Sequence, residues 1–385
     1  MTMARKRTMT PSTPETASSD TTAPASSSSP EALRSKALQE QADCRSAMEQ
    51  RKEVQGWKES RKRIHDLRER MRSSFVDRDD AITAILAALI SRTGCVLLGP
   101  PGTAKSLLVS RVARECSLRI GTEDANYFEY LLTAHTMPEE IFGPTEIGLL
   151  LQNPPQVQRR TVARLPHAEL AFLDEVFRGG SHILNTLLTI LNERRFYNGQ
   201  IVEEVPLVGF IGAANNPPQT EELKAFFDRF PVRVWVNSVL RDESNRNRNA
   251  RQLIAADAGI DGRRPRAEQP PSMLDFRKLW SILRVKLSPN PNEPAHSGSA
   301  RLQEFTRNFM SFQADGQLSD RSFVQLWYFA GALDLVEGRD PDKSFAEGGR
   351  GHWNCFGYIA PTQQSEAVIK HNLKSRMAAY NSAGA

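Results

Sequence analysis

The chain has 385 residues, with 50 Lys and Arg against 45 Asp and Glu, a net charge of +5 and 39% hydrophobic residues. Its longest strongly apolar stretch, Ala81 to Ile90, is interrupted by Thr83 and is about half the length of a membrane span. Arg5, Lys6 and Arg7 have no apolar core behind them, so no secretory signal is expected. Cys44, Cys95, Cys116 and Cys355 are scattered without metal-ligand spacing, which predicts reduced thiols in a cytoplasmic protein.

Residues 11–30 are Ser, Thr, Pro and Ala apart from Glu15 and Asp20. Such a run buries too little apolar surface to offset its ordering entropy, so residues 1–45 are expected to be a disordered tail. Residues 46–74 read as a basic helical extension. Between Arg51 and Arg72 nine Lys and Arg face four Asp and Glu. That local excess of five equals the charge of the whole chain and leaves the rest near neutral. The distribution argues against a surface that tracks nucleic acid throughout. The basic segment itself is either a solvated helix or an arm for an acidic partner.

Asp77 to Ile90 reads as a helix with acids in its first turn. Cys95 to Leu98 reads as a short buried strand ending at Gly99, and Ala104 to Cys116 as the helix after it. Tyr127–Leu132, Leu170–Leu173, Leu207–Ala213 and Val232–Val236 are further predicted strands, and Ser181 to Arg194 is a helix with Ile183, Leu184, Leu187, Leu188 and Leu191 on one face. Strands alternating with helices predict an α/β fold with a parallel sheet covered on both faces, over residues 75–236. Arg195 to Val202 carries Asn198-Gly199, the signal for a hairpin with a two-residue type I′ turn. Helical pieces near 249–256, 273–285 and 319–337 predict a small helical domain over 237–340. Residues 341–385 look irregular.

The strongest chemical signal is Gly99-Pro100-Pro101-Gly102-Thr103-Ala104-Lys105-Ser106, continuing into Leu107. Glycines let consecutive backbone N–H groups turn inward as a nest for phosphate oxygens, and the helix that follows adds its positive end. Lys105 can reach the β- and γ-phosphates of a nucleotide such as ATP, and the Ser106 hydroxyl can bind Mg²⁺. Ala104 stands where this pattern has glycine; alanine in a helical conformation is expected to be tolerated there. Sixty-nine residues after Lys105, Asp174 and Glu175 end an apolar strand. Ligands of open parallel sheets bind at the carboxyl ends of strands, so Asp174 is a candidate metal partner and Glu175 a candidate base for the attacking water.

With these motifs in order, the sequence resembles the AAA+ ATPases, and within them the MoxR family, in particular its RavA-type branch. The resemblance runs from about Phe75 to Asp340 and rests on GPPGTAKS (99–106), FEYLLTAHTMPEEIFGP (128–144), LPHAELAFLDEVFRGGSHILNTLLTILNERRFYNG (165–199), GAANNPP (212–218), FFDRFPVRVWV (226–236) and LSDRSF (318–323). It implies a five-stranded P-loop NTPase core with a helical lid, ATP and Mg²⁺ as cofactors, and a γ-phosphate sensor at Asn215, or at its neighbour Asn216. Arg229 resembles the arginine finger that reaches the next subunit's nucleotide, and Arg321 the lid arginine that contacts the γ-phosphate. A homo-oligomer follows, with a hexameric ring implied, and with it a client protein complex, one with a von Willebrand A domain protein being typical of the family. Residues 138–165 and the hairpin at 195–202 correspond to segments that line the pore or touch clients in relatives, or they are plain connecting loops. RavA-type proteins continue into a β-rich partner-binding region, which the 45 residues after Asp340 do not match. Three functions are compatible with the sequence: an ATP-driven, chaperone-like remodeller, a nucleotide-dependent scaffold with little turnover, and a nucleic-acid motor or loader, for which the basic segment is the only support.

Overall fold

A computed structural model describes residues 56–122, 125–241, 243–257, 269–288, 300–316, 318–341 and 354–383. The tail expected at 1–45 lies outside them. The described residues belong to one compact unit.

The first helix, α1, covers residues 56–72. Trp57, Ser60, Ile64, Leu67 and Met71 are buried along it, a helical repeat of three and four that makes one face apolar. Its basic side chains are largely engaged: Arg63 with Asp275, Arg68 with Thr83, Arg70 with Glu115 and Arg72 with Asp79. It is therefore an element of the core, neither a solvated helix nor a free arm. Helix α2 (Asp79–Ser91) follows, and every residue from Ala81 to Ser91 is buried. A helix apolar all round needs neighbours on all sides. Here α2 has the sheet on one side and later helices on the other.

The central sheet is built from β1 (Cys95–Leu98), β2 (Tyr127–Leu131), β3 (Leu170–Asp174), β6 (Gly209–Ala214) and β7 (Val232–Trp235), in the order β2-β3-β6-β1-β7. All four pairings are parallel. Near-continuous apolar strands such as Cys-Val-Leu-Leu are what burial on both faces requires. Helices α3 (Lys105–Glu115) and α6 (Ser181–Glu193) flank the sheet, together with the short α4 (Pro138–Phe142), α5 (Ile147–Leu150) and α7 (Glu221–Phe227). The architecture is the expected five-stranded parallel α/β sheet with flanking helices.

Strands β4 (Arg195–Asn198) and β5 (Ile201–Glu204) form the hairpin, but Asn198 pairs with Ile201. The two-residue loop is thus Gly199-Gln200, with φ +65° at Gly199 alone, which is the pattern of a type II′ turn. Asn198 does not enter the turn because its side chain is used elsewhere. Its Oδ1 accepts from the Arg159 amide at 2.6 Å, and its Nδ2 donates to the Arg159 carbonyl at 2.9 Å and to Glu203.

Helices α8 (Arg246–Asp257), α9 (Met273–Leu287), α10 (Ala300–Gly316) and α11 (Asp320–Val336) complete the helical region. Helices α9 and α11 pack on α2, so these helices and the sheet share one hydrophobic core. The C-terminal stretch departs from the irregular chain expected over 341–385: residues 355–358 form a 3₁₀ turn and α12 (Gln363–Ala383) is a 21-residue helix. No helix among the described residues is long and apolar enough to cross a membrane. Cys95, Cys116 and Cys355 are buried, and burial pushes their thiols well above the usual range. Cys44 lies outside the described residues.

Candidate active site

The loop between β1 and α3 is held in a conformation with little alternative. Gly99 has φ +143°, and a Cβ there would lie 2.2 Å from the Val236 carbonyl oxygen, so no side chain fits. Gly102 also has positive φ, at +75°. Ala104 has φ +66° and ψ +23°. This is the left-handed region, not the helical conformation expected of it, and it explains why a glycine suits the position. An alanine held there costs on the order of 1 kcal/mol.

Lys105 begins α3 and is buried. Its Nζ donates to the Gly99 carbonyl at 2.7 Å, to Pro100 O at 2.9 Å and to Asn215 Oδ1 at 3.4 Å. Burial lowers its pKa, against the opposing pull of Asp174 and Glu175. Ser106 Oγ donates to Asp174 Oδ2 at 3.0 Å. The other Asp174 oxygen accepts the Glu175 backbone N–H at 2.9 Å, which fixes the carboxylate at the end of β3. Glu175 takes φ +50°, a strained value for a residue with a side chain. It turns the chain so that Oε1 accepts from Asn215 Nδ2 at 2.6 Å, while Arg178 Nε lies 3.4 Å from Oε2. Asn215, the first residue past β6, thus bridges Lys105 and Glu175. Of the two adjacent asparagines, its side chain is the one joined to both; Asn216 is exposed. A cavity of about 510 Å³ opens beside this group, lined by Gly99, Pro100, Pro101, Asn215 and Asn216 among others.

Four of the predicted residues (Lys105, Ser106, Asp174 and Glu175), with Asn215, therefore meet at the carboxyl edge of the sheet. Arg229 and Arg321 do not join them. Arg229 Nη1 pairs with Asp228 Oδ2 at 2.9 Å, and its Nε is buried without a hydrogen-bond partner among the described residues. Ser319 Oγ donates to Asp228 at 2.9 Å, and Ser322 Oγ to its other oxygen at 3.5 Å. Arg321, between those serines, has its pKa lowered first by burial and then by Arg229, with Asp228 opposing. The two arginines form a second group. Arg229 packs its carbonyl where a Cβ of Gly94 would be, at 2.4 Å, just before β1 begins. From Gly94 to Gly99 the strand advances about 16 Å at 3.3 Å per residue, and an arginine side chain spans roughly 7 Å. Arg229 cannot reach the loop of its own chain.

The donor set fits a nucleotide and a hard divalent cation. A buried ammonium beside a glycine-lined turn suits phosphate oxygens. A hydroxyl sharing a carboxylate suits Mg²⁺, which takes few protein ligands and completes its shell with phosphate and water. No cluster of three or more His, Cys, Asp or Glu that could hold a metal alone occurs among the described residues.

Residue function missed in the sequence is also present here. Arg78 is buried and donates Nε to the Thr103 carbonyl at 3.2 Å and Nη2 to the Asn237 carbonyl at 2.9 Å. It ties the phosphate loop to the chain leaving β7. A lone arginine after Asp77 carries no motif that would have singled it out.

A P-loop and a strand-end Asp-Glu pair on a five-stranded parallel sheet, followed by a helical region, is the architecture of an AAA+ ATPase. The chain belongs to the MoxR family: residues 62–261 match the MoxR domain of the MoxR-vWA-beta-propeller ternary systems. Among curated relatives it is similar to two uncharacterized proteins of Methanocaldococcus jannaschii, MJ0079 and MJ0812. It is 42% identical to the first over 177 residues and 43% to the second over 176; each alignment covers 46% of this chain and 44% and 45% of those proteins. The chain thus spans less than half the length of these relatives. It is also 30% identical over 168 residues, 42% of this chain and 26% of the relative, to the structural protein ORF618 of Acidianus two-tailed virus. Its fold matches the crystal structure of a candidate ATPase from Cytophaga hutchinsonii with a TM-score of 0.55 at 16% identity, covering 86% of this chain and 97% of that one.

Proposed function

We propose that the protein hydrolyses ATP with Mg²⁺ and uses the cycle to remodel or help assemble a partner protein complex. The observation that carries the reading is the connected group Lys105–Asn215–Glu175 beside Ser106–Asp174. The backbone from Gly99 to Leu107 cradles the phosphates, and Lys105 exchanges its bonds to Gly99 and Pro100 for phosphate oxygens. Ser106 and Asp174 would hold Mg²⁺, which when bound would supply positive charge against the phosphates. Glu175 orients and deprotonates the attacking water, and Asn215 fixes the Glu175 carboxylate and reads the γ-phosphate.

Arg229 and Arg321 act together on the nucleotide of an adjacent copy. This reading is supported by the closeness of Arg321 to Arg229 and Asp228 and by the strand length that separates Arg229 from its own loop. A site completed by the next subunit calls for a heterologous, closed assembly, and the family resemblance points to a hexameric ring. The motifs keep the RavA-type branch as the nearest resemblance. The matched family's ternary systems support a von Willebrand A domain protein as partner, and the cytoplasm is the proposed compartment.

A client surface is supported by exposed apolar side chains on two joined segments: Ile147, Leu151 and Val157 in the insert, and Tyr197 and Val202 on the hairpin. The Asn198 bonds staple the two together. Exposed apolar groups gathered in this way mark interaction sites.

The test is Glu175→Gln. ATP binding is expected to stay within about twofold, while turnover falls on the order of 10²–10⁴-fold, the range of a lost general base. Unchanged turnover sinks the assignment of Glu175, and a pull-down with this variant in ATP is expected to retain the client.

A further inference from the structure

The chain leaving the helical region returns to the sheet and is clipped along its edge strand. Arg233 Nη1 donates to the Ile359 carbonyl at 2.9 Å, Trp235 Nε1 to the Ala360 carbonyl at 3.3 Å, and Gln363 Nε2 to Asn237 Oδ1 at 2.6 Å. Residues 233, 235 and 237 are alternate positions, which share one side of an extended strand. The clip therefore runs the length of β7, from a buried arginine near Phe230 to the rim of the phosphate-loop cavity. Arg233 is 1% exposed, and its ring contact with Phe227 and its bond to the Phe230 carbonyl hold it rigid. Beyond the clip, Lys370 on α12 reaches back to Asp80 at 3.5 Å and to Glu366 at 3.0 Å.

Between these attachments lies a second cavity of about 910 Å³. It shares Trp235, Asn237 and Gln363 with the 510 Å³ cavity beside Gly99 and Pro100, so the two are adjacent spaces. With the phosphates held at Lys105, the remainder of a nucleotide must leave along that shared rim. The larger cavity offers a nucleoside the aromatic residues Phe75 and Trp235 and the side-chain amides of Asn237, Gln252 and Gln363 in its lining. Most of the remaining lining is charged or polar, Arg72, Arg248 and Lys370 among it, so these two aromatic walls supply the apolar contact and the amides the orienting groups. A glutamine amide offers one donor edge and one acceptor edge, the pairing that adenine presents in return.

We propose that residues 359–370 form the wall of the nucleotide site around the nucleoside, with Gln363 as the residue that contacts the base. This rests on the nucleotide reading of the phosphate loop. It gives the C-terminal segment a role that the matched family region, which ends at residue 261, does not contain.

The experiment compares ADP with inorganic pyrophosphate, both in Mg²⁺, by calorimetric titration of the full chain. Pyrophosphate needs only the phosphate loop, whereas ADP needs the wall as well. Gln363→Ala is expected to weaken ADP about tenfold and to leave pyrophosphate within about twofold. Ala367→Phe, which intrudes on the larger cavity from exposed α12, is expected to do the same by steric exclusion. Equal loss for both ligands, or loss for neither, overturns the proposal. Lys105→Ala separates the two levels of the argument: it must weaken both ligands, and if it weakens neither, the phosphate loop itself has been misread. A second readout is hydrogen exchange, in which amides of 359–370 gain protection with ADP but not with pyrophosphate.

Discussion

At the carboxyl edge of the sheet, Lys105, Ser106, Asp174, Glu175 and Asn215 come from two strand ends and one helix start and bond to one another. At the opposite edge, Arg229 pairs with Asp228, and Arg321 lies near enough to both to feel their charges. Farther along that edge Arg194 is pushed down to about 10 by burial and by Arg92. The first edge has an acceptor for every donor at its centre; the second has cations in excess of acids. Positive groups crowded together with buried, unused N–H atoms are stabilised when an anion arrives. The contrast teaches that the residues of the phosphate-loop group satisfy one another within one chain, whereas Arg229 and Arg321 lie apart from them, the separation on which the proposed sharing of sites between copies rests.

The sharpest way to break that comparison is Arg229→Ala. Turnover is expected to fall about 10³-fold, the scale of a missing arginine finger, with ATP affinity unchanged within about twofold. Asp228 keeps its bonds from Ser319 and Ser322, so the fold should survive. Mixing Arg229→Ala with Glu175→Gln subunits should restore part of the rate, because one supplies the base and the other the arginine. An assay in which mixtures show only the sum of the two separate rates rules out a shared site. The matching change at the other edge is Lys105→Ala. It removes a charge-assisted contact to phosphate worth about 2–3 kcal/mol, so nucleotide affinity should fall on the order of 100-fold by equilibrium titration. If Arg229→Ala weakens binding as much as Lys105→Ala does, the division between the edges is wrong.

The carboxyl edge was readable in the sequence because its chemistry is local. A glycine-rich turn, an apolar strand and a terminal acid pair each occupy a few consecutive residues, and sheet topology brings such strand ends together. That Arg229 stands apart from that group agrees with its resemblance to a finger serving the next subunit, whereas the packing of Arg321 between Ser319 and Ser322, away from the phosphate loop, was not readable because it depends on how the helical region folds back in space. Helix α1 was legible in part: its charge drew attention, yet the spacing of Trp57, Ser60, Ile64, Leu67 and Met71 marks a buried face. The C-terminal helix was hidden by weak periodicity and by the glycines before it, and its docking depends on backbone carbonyls at Ile359 and Ala360 that no side-chain pattern announces. Ala104 was misjudged for a similar reason, since composition names a residue but not its φ.

Away from both edges, Asp275 links α1 to α9 and tests whether the basic segment belongs to the core. Burial alone would raise its pKa, but hydrogen bonds from Arg63, Ser60 and the Ser272 amide outweigh this and bring it below the ordinary 3.8. A depressed carboxyl contributes stability above its unfolded pKa and loses it as pH falls through the folded value. Asp275→Asn should therefore lower stability by about 2–3 kcal/mol at neutral pH, measured by denaturant midpoint, and the difference from the native chain should shrink as the pH drops below 3.8. A pH-independent difference would mean that packing, not charge, holds α1.

The smallest expected effect returns to the carboxyl edge. Ala104→Gly releases the left-handed strain at φ +66° but also loosens the unfolded chain, and these partly cancel. A net gain of about 0.5 kcal/mol is expected, seen as a thermal midpoint about 1–2 °C higher, with nucleotide affinity nearly unchanged because Lys105 and Ser106 keep their positions. A drop in the midpoint would place Ala104 in the right-handed region, where glycine is the poorer residue. The loop would then present its N–H groups differently from the arrangement on which the phosphate cradle depends.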